Sequence, residues 1–438
     1  MMTLAASIAA HGQKPWTLRD CIDYAMQNNI TLKQARLSKQ TATETRKLSQ
    51  SALLPSLTAS TNQSLGYKPW LGTGTTTVSN GTLNTKVNKT YYTGTYGINA
   101  AWTVWNGNQN RNQVKLNKLS EEQAELEIQE TANTIQEKIA QLYVQILYMK
   151  EAITVTRQSL EASKKNEERG QQMLEVGKIS KADLAQLSAQ RATDEYNIVA
   201  AETNLANYKL LLKQELEITG TQDLEISPID IDDQQALSVI PALADVYQQA
   251  LATRPEIKNT ELALQSSDIQ MKIAKGGHMP TVSITGGVGT STSSNNSNEW
   301  GSQMKTNFDV AAGVGVSIPL LDNRKTRTAI NKVQIQHEQV LLDIQNEQKQ
   351  LYQTIEGYWL DAQSNQQKFR ASMASVESEQ QSYDLLSEQF QLGLKNIVEL
   401  MNGKTNLLQA QQNKLQSKYM TILNIQLLRF YQGEIMGI

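Results

Sequence analysis

The sequence is poor in the residues that build thick globular cores and enzyme active sites. Its 438 residues include four phenylalanines, three histidines and one cysteine, and the hydrophobic fraction is only 39%. A single cysteine, Cys21, excludes an intramolecular disulfide. The net charge is −2, whereas nucleic-acid-binding domains are usually strongly basic. We therefore expect a thin, extended fold and no nucleic-acid partner.

Sequence motifs of enzymes are also missing. His11, His278 and His337 are far apart, and the sequence contains no HExxH, no CxxC, no phosphate-binding glycine loop and no nucleophile elbow. We expect a protein that is not an enzyme and that has no catalytic residue, no cofactor and no metal site. His337 is expected to be packed or hydrogen-bonded rather than a metal ligand.

Long apolar runs are absent too. No run approaches the roughly 18 apolar residues of a membrane helix, so any membrane crossing must use strands. Within residues 1–12, Thr3 to Ala10 is small and apolar, and Ala10-His11-Gly12 places small residues at the two positions that define a cleavage site. This pattern predicts the remnant of an export signal, although it has no positive n-region. An ordinary frayed terminus is the alternative.

An internal repeat dominates what the sequence does contain. The stretch VGKISKADL begins at residue 176, and LGLKNIVEL begins at residue 392. The same spacing in sequence separates Gly177 from Gly393 and Asp183 from Glu399. Internal repeats organise the whole fold. We expect a first repeat at 13–218, a linker at 219–240 and a second repeat at 241–438.

Each repeat contains two segments in which apolar and polar residues alternate. The expected strands cover about 55–68 and 92–105 in the first repeat, and about 281–291 and 306–321 in the second. Alternation with a period of two and one apolar face predicts half-buried strands. Within each repeat, a polar loop separates the two strands.

Helical patterns surround these strands. Residues 17–52 are expected to form one helix that ends at Pro55, and Pro280 marks the equivalent helix-to-strand junction in the second repeat. After each strand pair, apolar residues at heptad spacing predict a proline-free helix of roughly 65 to 70 residues, or about 100 Å. A turn at Gly177 or Gly393 then reverses the chain into a second helix, because a helix reversal favours a residue that tolerates positive φ.

The strands and helices both require partners. A sheet in a bilayer must close on itself, and bacterial barrels need about eight strands or more. Several chains must therefore pool their strands, with the polar glycine-rich face toward water and the aliphatic and aromatic face toward lipid. The heptad seams also need partner helices.

At this point the chain resembles the TolC-like outer-membrane efflux proteins. The resemblance covers nearly the whole chain: the duplication, both strand pairs, Pro55 and Pro280, the VWNGN and PLLDN strand-to-helix junctions, and both glycine turns. Each turn motif alone is weak, whereas the ordered set is specific. The fold class it implies is mostly α with membrane β, a coiled-coil α-helical barrel plus four strands per chain in a trimeric, twelve-stranded outer-membrane β-barrel.

The resemblance also implies a function and partners. The protein would be the outer-membrane exit duct of a tripartite efflux or type I secretion system in a Gram-negative bacterium. It would conduct substrates passively from an inner-membrane pump and a periplasmic adaptor to the exterior, as a homotrimer surrounded by outer-membrane lipid. A long periplasmic extension would carry the two hairpin turns.

The family pattern further implies a periplasmic gate. Its positions correspond here to Phe390, Lys395 and Asp183, with Lys395 and Asp183 as an inter-hairpin salt bridge. Phe390 replaces the usual tyrosine, so one hydrogen bond is lost. The family's acidic pair becomes Glu399 and Asn402, so one carboxylate per chain remains and cation binding should weaken. Alternatively, Lys395 and Asp183 are solvated charges, and such surface pairs often contribute only about 0–1 kcal/mol.

A non-conducting periplasmic coiled-coil protein is the alternative function. It would use the same long helices, but it would not need alternating glycine-rich strands with Trp102 and Trp105 near one end.

Overall fold

The computed structural model describes residues 15–70, 74–78, 81–85, 89–220, 223–228 and 232–437. The expected signal remnant at 1–12 lies outside the described residues. The helices are α1 (Leu18–Asn28), α2 (Ile30–Ser51), α3 (Gln109–Glu175), α4 (Lys181–Glu215), α5 (Asp233–Ala236), α6 (Leu243–Thr253), α7 (Pro255–Gly276), α8 (Trp300–Thr306), α9 (Lys325–Gln391) and α10 (Ile397–Tyr431). The strands are β1 (Ser56–Tyr67), β2 (Gly74–Val78), β3 (Gly81–Thr85), β4 (Thr90–Asn106), β5 (Thr281–Ser293) and β6 (Asp309–Ser317).

The chain divides into two compact units. The first, the helical unit, comprises Met1–Ser38, Ala124–Thr260 and Asp343–Ile438. The second, the sheet unit, comprises Lys39–Gln123 and Glu261–Leu342. Both units draw on both halves of the chain, so the two repeats fold together rather than as separate domains.

The larger sheet of the sheet unit has four antiparallel strands in the order β1-β4-β5-β6, and β2 and β3 pair with each other separately. Ile98 lies opposite Ala59 on one side and Val288 on the other, and Val288 lies opposite Val310. This register collects aliphatic residues on one face, the apolar face, and serine, threonine and glycine on the other, the polar face. β1 and β6 are the outer strands of the described sheet.

The last strand is shorter than the expected 306–321. Residues Trp300–Thr306 form the helix α8, and β6 runs only from Asp309 to Ser317. Asn307 caps α8, with its backbone N–H donating to the carbonyl of Gln303. Beyond Ser317, Pro319 has no N–H to donate to a strand ladder.

The expected helix at 17–52 is two helices, which corrects that prediction. Asn29 adopts φ −57° and ψ 129° and ends α1 with a hydrogen bond from its N–H to the carbonyl of Ala25. Its side-chain oxygen then accepts from the N–H of Leu32, which begins α2. Arg254 makes the same break at the equivalent position of the second repeat, where the following Pro255 disfavours helical backbone at the residue before it.

The long helices have equal lengths in the two repeats. Helices α3 and α9 each contain 67 residues, and α4 and α10 each contain 35. None contains proline, so nothing interrupts the main-chain hydrogen bonds. At 1.5 Å per residue, α3 and α9 are each about 100 Å long. No helix in the described ranges is long and apolar enough to cross a membrane.

The two strand-to-helix junctions share an unusual backbone. Gly107 and Asn108 have positive φ angles of 64° and 61°, and their equivalents in the second repeat, Asn323 and Arg324, have 51° and 65°. Positive φ is uncommon for residues other than glycine, so both junctions use the same specific backbone turn between strand and helix. Pro55 and Pro280 lie directly before β1 and β5, at the opposite transition from helix to strand.

The core of the helical unit lies where α3, α9 and α10 pack together. Its fully buried members include Tyr143, Ile355 and Leu428. The linker joins this core through a backbone bridge between Trp16 and Ile226. Cys21 is also buried here, and burial together with the charge of Asp20 raises the pKa of its thiol to about 12, so the thiol is unreactive at neutral pH.

Candidate functional site at the helical hairpin tips

The first hairpin turn follows α3 and is closed by a glycine in the left-handed region. Gly177 has φ 71°. Its N–H donates to the carbonyl of Leu174 at 3.0 Å, and the next N–H, of Lys178, donates to the carbonyl of Met173 at 2.8 Å. These two bonds form a Schellman motif, which satisfies carbonyls that a helix end leaves free.

The helix that returns from this turn begins with a capping box. The N–H of Asp183 donates to Ser180 Oγ at 3.1 Å, and Asp183 Oδ2 accepts from the Ser180 N–H at 2.9 Å. The Ser180 hydroxyl also donates to Oδ2, at 2.8 Å. These donors hold the pKa of the Asp183 carboxyl below its ordinary value, the backbone N–H contributing most. Asp183 therefore stabilises the start of α4 as a carboxylate.

The second hairpin turn repeats the first in backbone geometry. Gly393 has φ 77°. Its N–H donates to the carbonyl of Phe390 at 3.0 Å, and that of Leu394 donates to the carbonyl of Gln389 at 2.9 Å. A side chain at Gly177 or Gly393 would meet no neighbouring atom, so the positive φ alone explains why glycine suits both positions.

The acidic residue in the first turn of α10, Glu399, has a different side-chain partner from Asp183 in the first turn of α4. Asn396 Oδ1 accepts from the N–H of Glu399 at 2.9 Å, which matches the cap at Ser180. The Glu399 carboxylate, however, binds Lys395 at 2.5 Å in a half-exposed pair. Lys395 therefore has an ion-pair partner within its own hairpin tip.

The two tips pack against each other through a small apolar cluster, the tip core. Its buried members come from both hairpins: Met173, Leu187, Phe390, Ile397 and Leu400. Phe390 is only 3% exposed. At this position a tyrosine hydroxyl would need a buried partner, whereas phenylalanine needs none, which gives the departure from the family pattern a packing reason.

The structure brings only some of the expected gate residues together. Lys395 pairs with Glu399, and Asp183 bonds to Ser180; among the described salt bridges of this single chain, none joins Lys395 to Asp183. Asn402 is exposed and carries no charge. Both bonds to the Asp183 carboxylate end on Oδ2, so Oδ1 retains acceptor capacity.

A buried ionic cluster lies further from the turns, and sequence reasoning missed it. Lys404 of α10 donates to Asp194 of α4 and to the hydroxyl of Ser163 on α3. Ser163 donates to Asp194 Oδ2 at 2.5 Å, and Gln190 Nε2 donates to Oδ1 at 3.1 Å. Lys404, Asp194 and Ser163 are 5%, 2% and 3% exposed. This cluster, the hairpin tie, links the two hairpins of one chain.

The hairpin tie is electrostatically balanced. Burial lowers the pKa of the Lys404 ammonium, and Asp194 opposes that shift through a hydrogen bond and its charge. Three donors satisfy the carboxylate of Asp194, from Lys404, Ser163 and Gln190. A buried charge is tolerated when it is paired and hydrogen-bonded, and this one is both.

Small and large residues are exchanged between the two hairpins. A Cβ added to Gly170 would lie 2.4 Å from Leu187 Cδ1, and one added to Gly403 would lie 2.6 Å from Leu386 Cδ1. Positions 170 and 386 are equivalent in the two repeats, and so are 187 and 403. Each hairpin therefore fills the same space with one glycine and one leucine, on opposite helices.

These missed residues did leave a signal in the repeat. The position equivalent to Asp194 in the second repeat holds the buried Ala410, so a charge stands where the other copy has an apolar side chain. A charge at such a position indicates a buried pair.

His337 lies outside the tips and bonds to Ser267 Oγ at 2.8 Å. No cluster of histidine, cysteine and acidic side chains within the described chain could hold a metal ion.

Paired long helical hairpins joined to an amphipathic antiparallel sheet are the architecture of an outer-membrane channel. A family model described as outer membrane efflux protein matches residues 21–216 and 246–434. The chain belongs to the outer membrane efflux protein family, and the predicted resemblance and outer-membrane location are confirmed.

Individual relatives are distant in sequence and close in fold. The outer membrane efflux protein BepC of Brucella suis biovar 1 (strain 1330) is 22% identical over 404 residues, covering 92% of this chain and 82% of BepC. The outer membrane protein TolC of Escherichia coli (strain K12) is 22% identical over 366 residues, covering 75% and 72%. A crystal structure of CusC, from work on transmembrane channel formation, superposes with a TM-score of 0.80 at 16% identity, covering 97% of this chain and 95% of CusC. The expected fold class, mostly helical with a four-stranded sheet, is confirmed.

Proposed function

We propose that this efflux channel is a homotrimer that conducts substrates passively, as the exit duct of a tripartite efflux or type I secretion system. A periplasmic adaptor and an inner-membrane pump would deliver the cargo to the hairpin tips. The observation that carries the proposal is the four-stranded sheet with two chemically distinct faces and two outer strands.

The faces of the sheet support placement in a bilayer. Val310, Val314 and Val316 on the apolar face are 65%, 71% and 60% exposed in the single chain. Their neighbours on the polar face include Gly313 and Gly315. A lipid-exposed sheet cannot leave an open edge. If β6 of one chain pairs with β1 of the next, three chains close a barrel of twelve strands.

The gate would use the charges that the single chain leaves half-exposed. In a closed trimer, Lys395 would exchange Glu399 of its own chain for Asp183 of a neighbour. A surface ion pair contributes up to about 1 kcal/mol, and each exchange gives up the Lys395–Glu399 pair, which at i,i+4 spacing is worth about 0.3–0.5 kcal/mol. The three exchanges would therefore favour closure by about 2 kcal/mol at most, or roughly 30-fold in population. The two hairpin tips of each chain would form one third of the closed end.

Single-channel conductance in planar bilayers tests the proposal. Wild type should insert as a trimer and conduct poorly, because the helical end is shut. The double variant Lys395→Ala with Asp183→Ala should conduct several-fold better. The matched control is Lys164→Ala with Glu161→Ala, an exposed pair on α3 that removes the same charges away from the turns.

Each outcome separates one part of the proposal from the rest. An unchanged double variant that still inserts would keep the duct and reject Lys395 and Asp183 as gate residues. If the control conducts as well as the double variant, loss of any exposed ion pair on these helices opens the channel, and the specific role of Lys395 and Asp183 is rejected. Wild type and variants that remain monomeric and never conduct would reject the channel and favour a non-conducting periplasmic coiled-coil protein.

A further inference from the structure

The short helix α8 covers part of one face of the sheet. Thr290 Oγ1 donates to the carbonyl of Met304 in α8 at 2.7 Å. Thr290 lies directly opposite Tyr96 on β4. The ring of Tyr96 in turn meets the ring of Trp300, with centroids 6.3 Å apart and planes at 86°. Both strand residues therefore contact α8 from the same side of the sheet.

That side is the apolar face. Successive residues of a strand point to opposite faces, so Tyr96 shares a face with Ile98, and Thr290 shares a face with Val288. Ile98 and Val288 are themselves opposite partners in the ladder. A loop helix at this end could have covered either face, and covering the polar face would have narrowed the water-filled side. In this chain α8 lies on the side expected to meet lipid.

Well-defined hydrogen bonds fix α8 in place. Gln303 is 5% exposed; its Oε1 accepts from the N–H of Ser293 at 2.8 Å, and its Nε2 donates to the carbonyl of Asn298 at 2.7 Å. Asn307 Nδ2 donates to the carbonyl of Ser291 at 2.6 Å. The helix is thus tied to the end of β5, while Trp300 remains 57% exposed.

The position of α8 along the sheet matches the edge of a hydrocarbon layer. On the last strand, the apolar face is exposed along its length: Val310, Val314 and Val316 are 65%, 71% and 60% exposed. The 9 residues of β6 make about eight steps of about 3.4 Å, which at a tilt of about 40° give a height of about 21 Å. The apolar band of membrane barrels is about 25 Å tall. Phe308 lies at the loop end of this band, just after α8 ends at Thr306.

We propose that α8 is a lipid-contacting segment that lies on the outer side of the barrel and places Trp300 among the phospholipid headgroups. Tryptophan favours that depth because its ring is apolar and its indole N–H requires a polar partner. The inference rests on the proposed function, since it assumes that the apolar face meets lipid. The second loop of the sheet would then anchor the barrel in the membrane rather than close its mouth.

Site-specific fluorescence in vesicles tests this placement. The full-length variant Gly301→Cys carries an NBD label in α8, where an added side chain meets no neighbouring atom. The buried Cys21, whose thiol pKa is about 12, does not compete for the label. The protein is reconstituted in phosphatidylcholine vesicles doped with a phospholipid that bears a nitroxide on its headgroup or in the middle of an acyl chain.

Two matched sites calibrate the measurement. Ser297→Cys, exposed in the same loop, reports on water, and Val314→Cys, exposed on the apolar face, reports on the hydrocarbon layer. We expect the label at residue 301 to emit to the blue of the label at 297 and to be quenched most strongly by the headgroup nitroxide. The label at 314 should be quenched most strongly by the acyl-chain nitroxide.

The two hypotheses fail in different ways. If the label at 314 is quenched and the label at 301 behaves like that at 297, α8 does not contact lipid, and the channel proposal stands. If neither 301 nor 314 is quenched, the sheet is not in the bilayer, and the proposed function fails together with the inference. Headgroup quenching at 301 that persists in Trp300→Phe and is lost in Trp300→Ser would support the role of the ring itself.

Discussion

Replacing Asp194 by asparagine would leave the Lys404 ammonium buried without a countercharge. Lys404 donates only to Asp194 and Ser163 among its described hydrogen bonds, and the side chains of the ion pair are 6% and 3% exposed. Water cannot replace the lost carboxylate without opening the contact between the hairpins. We therefore expect Asp194→Asn to loosen the hairpin tie rather than merely to weaken one bond.

The magnitude follows from the burial of the pair. Removing one partner of a buried ion pair costs about 3–5 kcal/mol, which corresponds to about 100- to 4,000-fold in an opening equilibrium. Replacing both partners by apolar residues of similar size is often neutral. The double variant Asp194→Leu with Lys404→Met should therefore recover most of the stability that either single variant loses.

Native-state hydrogen exchange on the full-length protein in detergent measures this difference locally. Peptides from α4 and α10 should lose protection in the single variants and regain it in the double variant. Glu161→Gln is the matched control, because Glu161 forms an exposed pair with Lys164 that should contribute no more than about 1 kcal/mol. Equal effects of Asp194→Asn and Glu161→Gln would refute the claim that the tie holds the hairpins together.

Three further predictions concern local structure. Arg324→Gly should raise the free energy of unfolding, measured by thermal denaturation, by about 0.5–1 kcal/mol. Arginine at φ 65° is strained, whereas glycine at this φ is not. Gly170→Leu with Leu187→Gly copies the arrangement of the second hairpin. The double variant should lose less stability than the two single variants lose together, with a coupling energy of about 1–3 kcal/mol in a double-mutant cycle. Additive losses would contradict the claim that each hairpin fills this space with one glycine and one leucine. The pKa of Asp183 lies below its ordinary 3.8, so its stabilisation of the start of α4 is complete above pH 3.8 and is lost as pH falls through the lowered pKa. Hydrogen exchange there should show this acid loss in wild type and not in Ser180→Ala.

Much of the fold could be predicted because it rests on local patterns that the chain carries twice. The glycine turns, the alternating strands and the heptad spacing each depend on residues close in sequence. The break at Asn29 was missed because it depends on a side chain that caps the following helix, and no proline or glycine marks the position. The helix α8 was missed because a polar loop of this composition has no apolar periodicity, and its position depends on Gln303 binding distant backbone groups.

The hairpin tips were harder to predict because their contacts join different repeats. The constant spacing between the repeats aligns equivalent positions, but equivalent positions do not touch each other. Lys404 contacts Asp194, which lies 210 residues away in sequence and has no counterpart of the same charge. Sequence similarity between the repeats therefore predicts the backbone conformation of each tip, but it does not predict which side chains of the two tips contact each other.

The two hairpins differ in which helix carries the bulky residue. A side chain at position 403 would overlap Leu386, since a Cβ at 403 already lies 2.6 Å from Leu386 Cδ1, so Gly403 accompanies Leu386 as Gly170 accompanies Leu187. The two hairpins also differ in the partners of their acidic residues. Asp183 serves its own cap, whereas Glu399, at the matching position, binds Lys395. One acid is thus fixed in a helix start and the other is held by a half-exposed lysine. The proposed gate would use this difference, because the carboxylate of Glu399 is not bound in a capping box and, among the described salt bridges, pairs only with Lys395 at the tip.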